Sequence, residues 1–312
     1  MHVPTRPRSA SRGKTAGRLT VALATGSVVL LAAGCGTEVT VGSSPTPTPT
    51  PSPTESATAS PSPSESPSES SRESPEVETS EFGVYFIVDT RAGLSLAREV
   101  RDLPASDPAE AAVEAMLDGP DDPDYTSPWN PATEVIRVQR ESDGIVVVLS
   151  EEARTADVGS EAAALMVQQL VYTVTEAMDP TDTVQLFIGE EAAGELWGSV
   201  TWDGPVDRDD PLAVRSFVQI DSPREGESLT SPVTVEGEAA AFEANVPWRV
   251  LDESGAEVET GFTTTSAGQT FAPYSFTVDL DPGTYTVEIS EDDPSGGEGG
   301  TPMTDTRTIT VE

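Results

Sequence analysis

The chain has 312 residues and a formal net charge of −37, from 54 acidic and 17 basic residues. So acidic a surface repels nucleic acid, which excludes nucleic-acid binding as a function. The single His, Lys and Cys stand at positions 2, 14 and 35, so imidazole, amine and thiol chemistry can come from these three residues alone.

Residues 1–34 have the organisation of a lipoprotein signal peptide. Five basic residues and no acidic ones occupy positions 1–18, and an apolar stretch runs from Leu19 to Ala33. This stretch is too short, and too often interrupted by hydroxyl side chains, for a good membrane span. The sequence LAAGC, which ends at Cys35, resembles a bacterial lipobox. The resemblance implies cleavage before Cys35 and acylation of Cys35, with palmitate as a typical acyl group. A chance cysteine behind an ordinary signal peptide is the alternative.

Removal of this peptide would leave 12 basic residues, all arginine, against 54 acidic ones, a net charge of −42. With no His, Lys or free thiol, a Ser-His-Asp triad, a Ser-Lys pair and a Schiff base are excluded. A zinc site built from the usual His and Cys ligands is disfavoured as well. The sequence therefore predicts a non-catalytic protein with no cofactor and no metal. A pair of carboxylates, as in glycoside hydrolases, is the catalytic alternative that survives.

Residues 35–81 are predicted to comprise the lipidated Cys35 and a disordered linker. From Ser43 to Ser80 almost every residue is Pro, Ser, Thr or Glu. Such a segment has too little apolar surface to fold, and its prolines favour extended conformations. The predicted role is a spacer that holds a folded load away from the membrane.

Residues 82–203, called the N-terminal module below, are predicted to form an α+β domain with the order β-β-α-β-β-α-β. The predicted elements are strand Phe82–Asp89, strand 96–103, a helix capped by Asp107, two strands joined at Asp143 and Gly144, a helix from Ser160 to Met178, and strand Asp182–Gly189. Both helices are expected to cover one face of a single sheet. The longer helix would do so through a stripe of Val167, Leu170, Val171, Val174 and Met178.

Four segments of this module, VYFIVD, EAMLDGP, IVVVLSEEA and QQLVYTVTEA, together resemble a GerMN domain, the module named after spore-germination proteins. The resemblance implies assembly work in the cell envelope, because relatives in spore formers act in sporulation and germination. Actinobacterial lipoproteins that share the module are associated with sensor-kinase regulation. The segment IGEEAAG departs from the Asp-Gly-type turn that usually closes the family pattern. The all-arginine basic set and the alanine-rich helices favour an actinobacterial origin.

Residues 204–213 are predicted to be a polar linker, and residues 214–312, the C-terminal module, an all-β immunoglobulin-like sandwich. Apolar residues alternate with period two around Val246, Tyr274 and Tyr285, and again up to Val311, which predicts seven or so short strands. The segment IDSPREGESLTSPVTVEGEAAAFEANVPWRVLDESG resembles the start of a Gmad2 domain, an immunoglobulin-like domain found with GerMN domains.

Three residues have competing interpretations, and two further tryptophans have a single one. Trp129 could face a partner, but a lone Trp in a proline-rich loop more often packs on its own domain. Glu243 and Asn245 could mark a binding edge or satisfy backbone groups at a strand bend. Trp197, together with Trp202, is expected to brace the junction between the modules.

Two acidic loops, 118–124 and 291–298, could bind calcium. Neither loop has EF-hand spacing, so solvated loops are the favoured interpretation.

The sequence thus predicts a lipid-anchored protein on the outer face of the cytoplasmic membrane. Its two modules would bind an envelope or membrane protein, and a small-molecule ligand is disfavoured. A cell-wall glycan-binding or solute-binding lipoprotein is the first alternative, and a carboxylate-dependent wall hydrolase is the second.

Overall fold

The structure, a computed structural model, describes residues 78–292 and 301–312. The predicted signal peptide, Cys35 and almost all of the predicted linker lie outside these residues. The described residues belong to one compact unit that contains both modules. Within them, no helix is long and apolar enough to cross a membrane.

The N-terminal module contains the predicted order of strands and helices, with four additional short strands. Its elements are β1 (Thr79–Thr90), β2 (Gly93–Pro104), α1 (Pro108–Asp118), β3 (Tyr125–Thr126), β4 (Val135–Glu141), β5 (Gly144–Leu149), α2 (Ser160–Glu176), β6 (Val184–Ile188), β7 (Glu191–Ala192), β8 (Gly194–Leu196) and β9 (Val200–Trp202). Asp107 precedes α1 as predicted, but its side chain makes no capping hydrogen bond. The predicted α+β class is confirmed.

The prediction of one sheet with helices on one face is wrong in detail. The module has a β2-β1-β3 sheet, a β4-β5-β6-β7 sheet and a β8-β9 pair. Helix α2 is not amphipathic in place, because every residue from Leu165 to Thr175 is buried. The helix contacts α1, β1, β2 and β9, so the face opposite the predicted stripe also lies inside the core.

The C-terminal module is the predicted sandwich, and it follows the short helix α3 (Pro211–Val214). Its strands are β10 (Val218–Ser222), β11 (Ser228–Leu229), β12 (Val233–Ala239), β13 (Asn245–Asp252), β14 (Glu257–Thr264), β15 (Ala272–Val278), β16 (Gly283–Ser290) and β17 (Thr304–Val311). One sheet has the order β10-β12-β15 and the other β11-β17-β16-β13-β14. The period-two residues of both sheets form a separate second core, which contains Val235, Val246, Val287 and Ile309.

Candidate interaction site at the junction of the two modules

The two modules meet at a buried group of charged side chains centred on Arg307 of β17. Arg307 is only 2% exposed. One guanidinium nitrogen lies 2.5 Å from Asp122 and 2.9 Å from Asp305. The other nitrogen donates to the hydroxyl of Tyr125 (3.1 Å) and to the carbonyl of Ile220 (2.9 Å). Asp122 and Tyr125 belong to the N-terminal module, so this cation holds residues of both modules.

Asp305 connects the same elements through its acceptor oxygens. The Tyr125 hydroxyl donates to it at 2.5 Å, and the Ile220 backbone N–H donates at 2.6 Å. A buried carboxylate needs such donors, since an unpaired charge in the interior is costly. Together, Asp305 and Arg307 tie β10 and β17 to the loop 119–126 of the N-terminal module.

The loop 119–126 is positioned by Glu99, a buried residue of β2. The Glu99 carboxylate accepts the backbone N–H groups of Asp121 (3.2 Å) and Asp122 (2.9 Å). Arg101 binds the same carboxylate at 2.6 Å and donates to the carbonyl of Gly119 at 2.9 Å. The loop is therefore fixed by its own module in the position from which Asp122 contacts Arg307.

Burial changes the protonation of this group. Desolvation raises the pKa of Asp122 to about 6, because the opposing effect of the Arg307 cation is smaller. For Arg307 itself, burial acts to lower the pKa, but Asp305, Tyr125 and Asp122 outweigh it, and the pKa rises well above its ordinary value. Arg307 is thus a permanent cation beside a carboxyl group that titrates near pH 6.

A second charged group joins the modules along β2. Arg98 of β2 binds Asp221 through two hydrogen bonds, at 3.0 and 2.6 Å, and lies 3.3 Å from Glu238. Arg215 also contacts Glu238, at 2.8 Å. Beside this group opens a cleft of about 720 Å³, in which Asp221 and Glu238 face Arg98. These carboxylates are already neutralised, which argues against a free acid–base pair here.

Neighbouring elements hydrogen-bond to the unpaired backbone groups of β2 and β1 in the β2-β1-β3 sheet. The Leu96 carbonyl of β2 accepts the N–H of Ser216 (2.8 Å) and the side-chain amide of Gln219 (3.1 Å). On β1, Tyr85 donates its N–H to Thr173 of α2, and its carbonyl accepts the side-chain amide of Gln169. The strand that includes Phe82–Asp89 is therefore interior and offers no free edge at Tyr85 for a partner strand.

Trp129, Trp197 and Trp202 all pack within the N-terminal module. Trp129 is buried, donates to Gln169 at 3.1 Å and packs edge-on against Trp197, which confirms packing on its own domain. Trp197 donates to the carbonyl of Ala153 at 3.0 Å, and Trp202 lies in the N-terminal core. The prediction that Trp197 and Trp202 brace the junction is wrong, because the junction is made by charged residues.

Most of the acidic loop 118–124 is exposed, as the favoured interpretation predicted, and Asp122 is the exception among its four acidic residues. Asp122 is buried against Arg307, and Asp124 accepts the Thr306 hydroxyl at 2.8 Å. Of the loop 291–298 only the first two residues are described, and Glu291 pairs with Arg91 of the N-terminal module. Within the described ranges, no group of three or more acidic, His or Cys side chains is arranged to hold a metal ion.

Glu243 and Asn245 lie at a bend, but their side chains make none of the described hydrogen bonds to its backbone groups, unlike in the interpretation that placed them at a bend. Both Glu243 and Ala244 have left-handed backbone conformations, with φ of 51° and 62°. The Ala244 carbonyl accepts the N–H of Thr265 at 3.0 Å. The bend is held by backbone groups rather than by the side chains of Glu243 and Asn245.

One feature of the sequence points to the charged junction, although the predictions from the sequence did not include it. Asp305 and Arg307 continue the period-two alternation of Ile309 and Val311, so all four share the inward face of β17. Charged residues at core positions of a strand are rare unless they are paired. That pattern indicates a buried ion pair, although it does not name the partners.

Two family models match the chain and define the class of each module. The Germane model, described as "Sporulation and spore germination", matches residues 83–193. The Gmad2 model, described as "Immunoglobulin-like domain of bacterial spore germination", matches residues 217–298. The chain thus carries a segment that matches a GerMN-type family model, followed by a segment that matches the Gmad2 model. Both resemblances drawn from the sequence are confirmed.

Solved structures that match part of this chain include the tandem GerMN domains of the sporulation protein GerM from Bacillus subtilis, with a TM-score of 0.37 and 14% identity over 45% of this chain and 50% of that one. The first GerMN domain of GerM gives 0.32 and 21% over 42% and 95%. A putative lipoprotein from Clostridium perfringens gives 0.31 and 12% over 45% and 94%. This chain spans about half the length of the tandem structure. No curated protein matches the chain.

Proposed function

We propose that this chain is a lipid-anchored, non-catalytic protein of the bacterial envelope whose two modules together present a binding surface to a protein partner. The observation that carries the proposal is the buried junction around Arg307 and Arg98, which joins the modules into one body. Two domains joined by fixed contacts present a composite surface without a further cost of ordering when a partner binds.

The family matches support the setting of this function. Both descriptions concern sporulation and spore germination, and neither names a reaction. The lipobox-like sequence before Cys35 supports anchoring, since two or more acyl chains hold a protein stably on a membrane. The predicted linker would carry the two modules away from the membrane towards the wall.

A second candidate function is glycan or solute binding, and the cleft of about 720 Å³ beside Arg98 favours it. Small-molecule sites are usually lined by apolar and aromatic side chains with few polar groups. This cleft is lined mainly by polar and acidic residues, and its single aromatic residue, Tyr274, is buried. A protein partner therefore fits the surface better than a sugar or a small solute.

Anchoring is tested by replacing Cys35 with Ala in the native host. The wild-type chain is expected in the membrane fraction and labelled by palmitate, whereas the Cys35→Ala chain is unlabelled and released. Ser43→Ala, a change beyond the lipobox, serves as the control and should behave as wild type. Retention of a mature, unlabelled Cys35→Ala chain in the membrane would overturn the anchor.

The interaction role is tested by affinity purification of the wild-type chain from its own solubilised membranes. We expect an envelope protein to co-purify, and deletion of residues 214–312 to weaken its recovery. Release of fragments from purified peptidoglycan would instead support the hydrolase alternative. Saturable binding of soluble wall glycan with no protein recovered would support the glycan-binding alternative.

A further inference from the structure

A small apolar groove lies where helix α3 meets the bend before β13. Its volume is about 300 Å³, and its apolar lining consists of Leu212, Phe217, Ala240 and Phe242. Leu212 is 43% exposed and Phe242 is 39% exposed. Two of the few large apolar side chains left exposed in the described part of the chain therefore share one groove. Clustered exposed apolar surface marks a binding site far more often than scattered residues do.

The backbone beside the groove is held in an unusual conformation. Glu243, Ala244 and Gln269 all have φ between 51° and 62°, a backbone conformation that residues other than glycine rarely adopt. The carbonyl of Ala241 accepts the N–H of Ala244 at 3.3 Å and that of Gln269 at 2.9 Å, so the bend is tied to the neighbouring loop. Such strained positions concentrate at functional sites, where the surrounding structure maintains them. Here the bend follows Phe242 directly and leaves that ring in the groove.

The surroundings of the groove are acidic. Asp292 lines it, Glu243 follows Phe242, and Asp209 and Asp210 immediately precede α3. None of these four carboxylates pairs with an arginine within the described residues. Glu291, the other acid in the lining, is neutralised by Arg91. An apolar floor with an acidic rim is complementary to an apolar side chain flanked by basic residues.

We propose that this groove, which comprises Leu212, Phe217, Ala240 and Phe242 with its acidic rim, binds a basic peptide segment of the partner protein through an apolar anchor residue. The inference rests on the proposed function, because it names the surface and the chemistry of the partner for the same interaction. A second copy of the chain is a poor occupant, since acidic rims on a protein of net charge −37 repel each other.

The test uses the predicted mature chain, residues 35–312, with Cys35→Ala to avoid acylation. The probe is the fluorescein-labelled peptide Lys-Lys-Leu-Phe-Lys-Lys, followed by anisotropy. Two control peptides are Glu-Glu-Leu-Phe-Glu-Glu, which lacks the basic flanks, and Lys-Lys-Ser-Gly-Lys-Lys, which lacks the anchor. We expect saturable binding of the first peptide only, and weaker binding as salt is raised.

Three variants locate the bound peptide. Phe242→Ser and Leu212→Ser are each expected to weaken binding at least about tenfold, as for central anchors of an interface. Asp292→Asn is expected to weaken it by a smaller factor and to reduce its salt dependence. Phe262→Ser is the matched control, because Phe262 is a more exposed ring on β14 that does not line the groove. Circular dichroism confirms that each variant is folded.

Several results would overturn the proposal. One is equal binding of all three peptides, and another is the absence of saturable binding up to millimolar peptide. Unchanged affinity in folded Phe242→Ser and Leu212→Ser chains would also contradict it. So would a dimer, seen by sedimentation, that Phe242→Ser abolishes. The proposed function is judged separately. If Phe242→Ser leaves recovery of the envelope partner unchanged, the interaction role stands and the groove is not its site.

Discussion

Gly237 is a residue whose identity is dictated by close contacts in the C-terminal sandwich. A Cβ atom at this position would lie 2.0 Å from the carbonyl oxygen of Gln219 and 2.6 Å from the hydroxyl of Tyr274. That hydroxyl donates to the same carbonyl at 2.9 Å. Gly237 therefore allows β12 to lie against β10 while Tyr274 fills the space between them.

Gly237→Ala is expected to lower the free energy of unfolding by about 1–3 kcal/mol, because the added methyl group displaces backbone rather than a flexible side chain. Gly204→Ala is the control, since no atom lies within 4 Å of the corresponding Cβ position. Urea unfolding of both variants measures the difference. Equal stability of the two would show that β10 moves freely away from β12.

Asp122 gives the junction a dependence on pH. The pKa of Asp122 is about 6 in the folded chain, above the ordinary value of 3.8. Between pH 3.8 and pH 6, therefore, Asp122 is largely protonated in the folded chain and largely ionised in the unfolded chain. The stability that this group contributes is therefore complete below about pH 4 and is lost as pH rises through 6. The sign is opposite to that of an exposed, ion-paired carboxylate.

Comparison of wild type with Asp122→Asn isolates this contribution from those of the other acids. The free energy of unfolding of wild type, minus that of the variant, is expected to fall by roughly 1–3 kcal/mol between pH 4 and pH 7. Urea unfolding at four pH values in this range measures it. A difference that stays constant, or that grows with pH, would contradict the raised pKa.

At the scale of elements, the junction depends on strand β17 and the loop 119–126. Arg307 on β17 compensates Asp122 and Asp305, and all three side chains are buried. A buried ion pair adds little net stability compared with apolar residues, but removal of one partner is costly because the other charge stays buried. Removal of Arg307 is therefore expected to lower the free energy of unfolding by more than the net stability that its ion pairs contribute.

Arg307→Ala is expected to destabilise the chain by about 3–5 kcal/mol at pH 7, since it leaves two buried carboxylates without their cation. Arg249→Ala removes an exposed pair with Glu288 and is expected to cost less than about 1 kcal/mol. Adding Asp122→Asn to Arg307→Ala should recover part of the loss, which a double-mutant cycle measures. Additive effects of the two changes would show that these side chains are not coupled.

At the scale of the whole molecule, two separate cores are joined by a polar junction. One core lies in the N-terminal module and the other in the C-terminal module. Each module therefore has the apolar interior that independent folding requires. Each also carries charged side chains that pair across the junction, Asp122 with Arg307 and Arg98 with Asp221, so separation exposes them to water and removes their mutual attraction.

Segments 82–203 and 214–312, expressed separately, are expected to fold and melt cooperatively, but each at a lower temperature than the joined chain. Circular dichroism during heating measures the three midpoints. The Arg307→Ala chain, which keeps both modules linked but weakens their junction, is the comparison. A segment with the spectrum of a random coil would contradict the division into two modules. Equal melting midpoints for the separate segments and the joined chain would show that the junction adds no stability.

Much of the fold was predictable from the sequence because its determinants are local. The period-two alternation of the C-terminal strands, the turn at Asp143 and Gly144, and the apolar run after Phe82 each specify an element within a few residues. The arrangement of the N-terminal elements is less local, and the structure has two sheets and a strand pair where the sequence predicted one sheet. In the segment FEANV the sequence pattern singled out the polar residues Glu243 and Asn245, whereas the structure leaves the apolar ring of Phe242 exposed.

By itself, the sequence determined the main elements and the absence of His, Lys and thiol chemistry beyond position 35, since these follow from composition and short-range pattern. The resemblance of whole segments to GerMN and Gmad2 domains indicated the class of each module. Only the tertiary structure decided the junction. Asp122 and Arg307 are 185 residues apart in the chain, and no local pattern distinguishes this aspartate from its acidic neighbours. The groove likewise combines α3 with a distant bend. Burial beside a particular cation is a property of the folded chain, and it is this that makes Asp122 part of the interior and its neighbour Asp121 part of the surface.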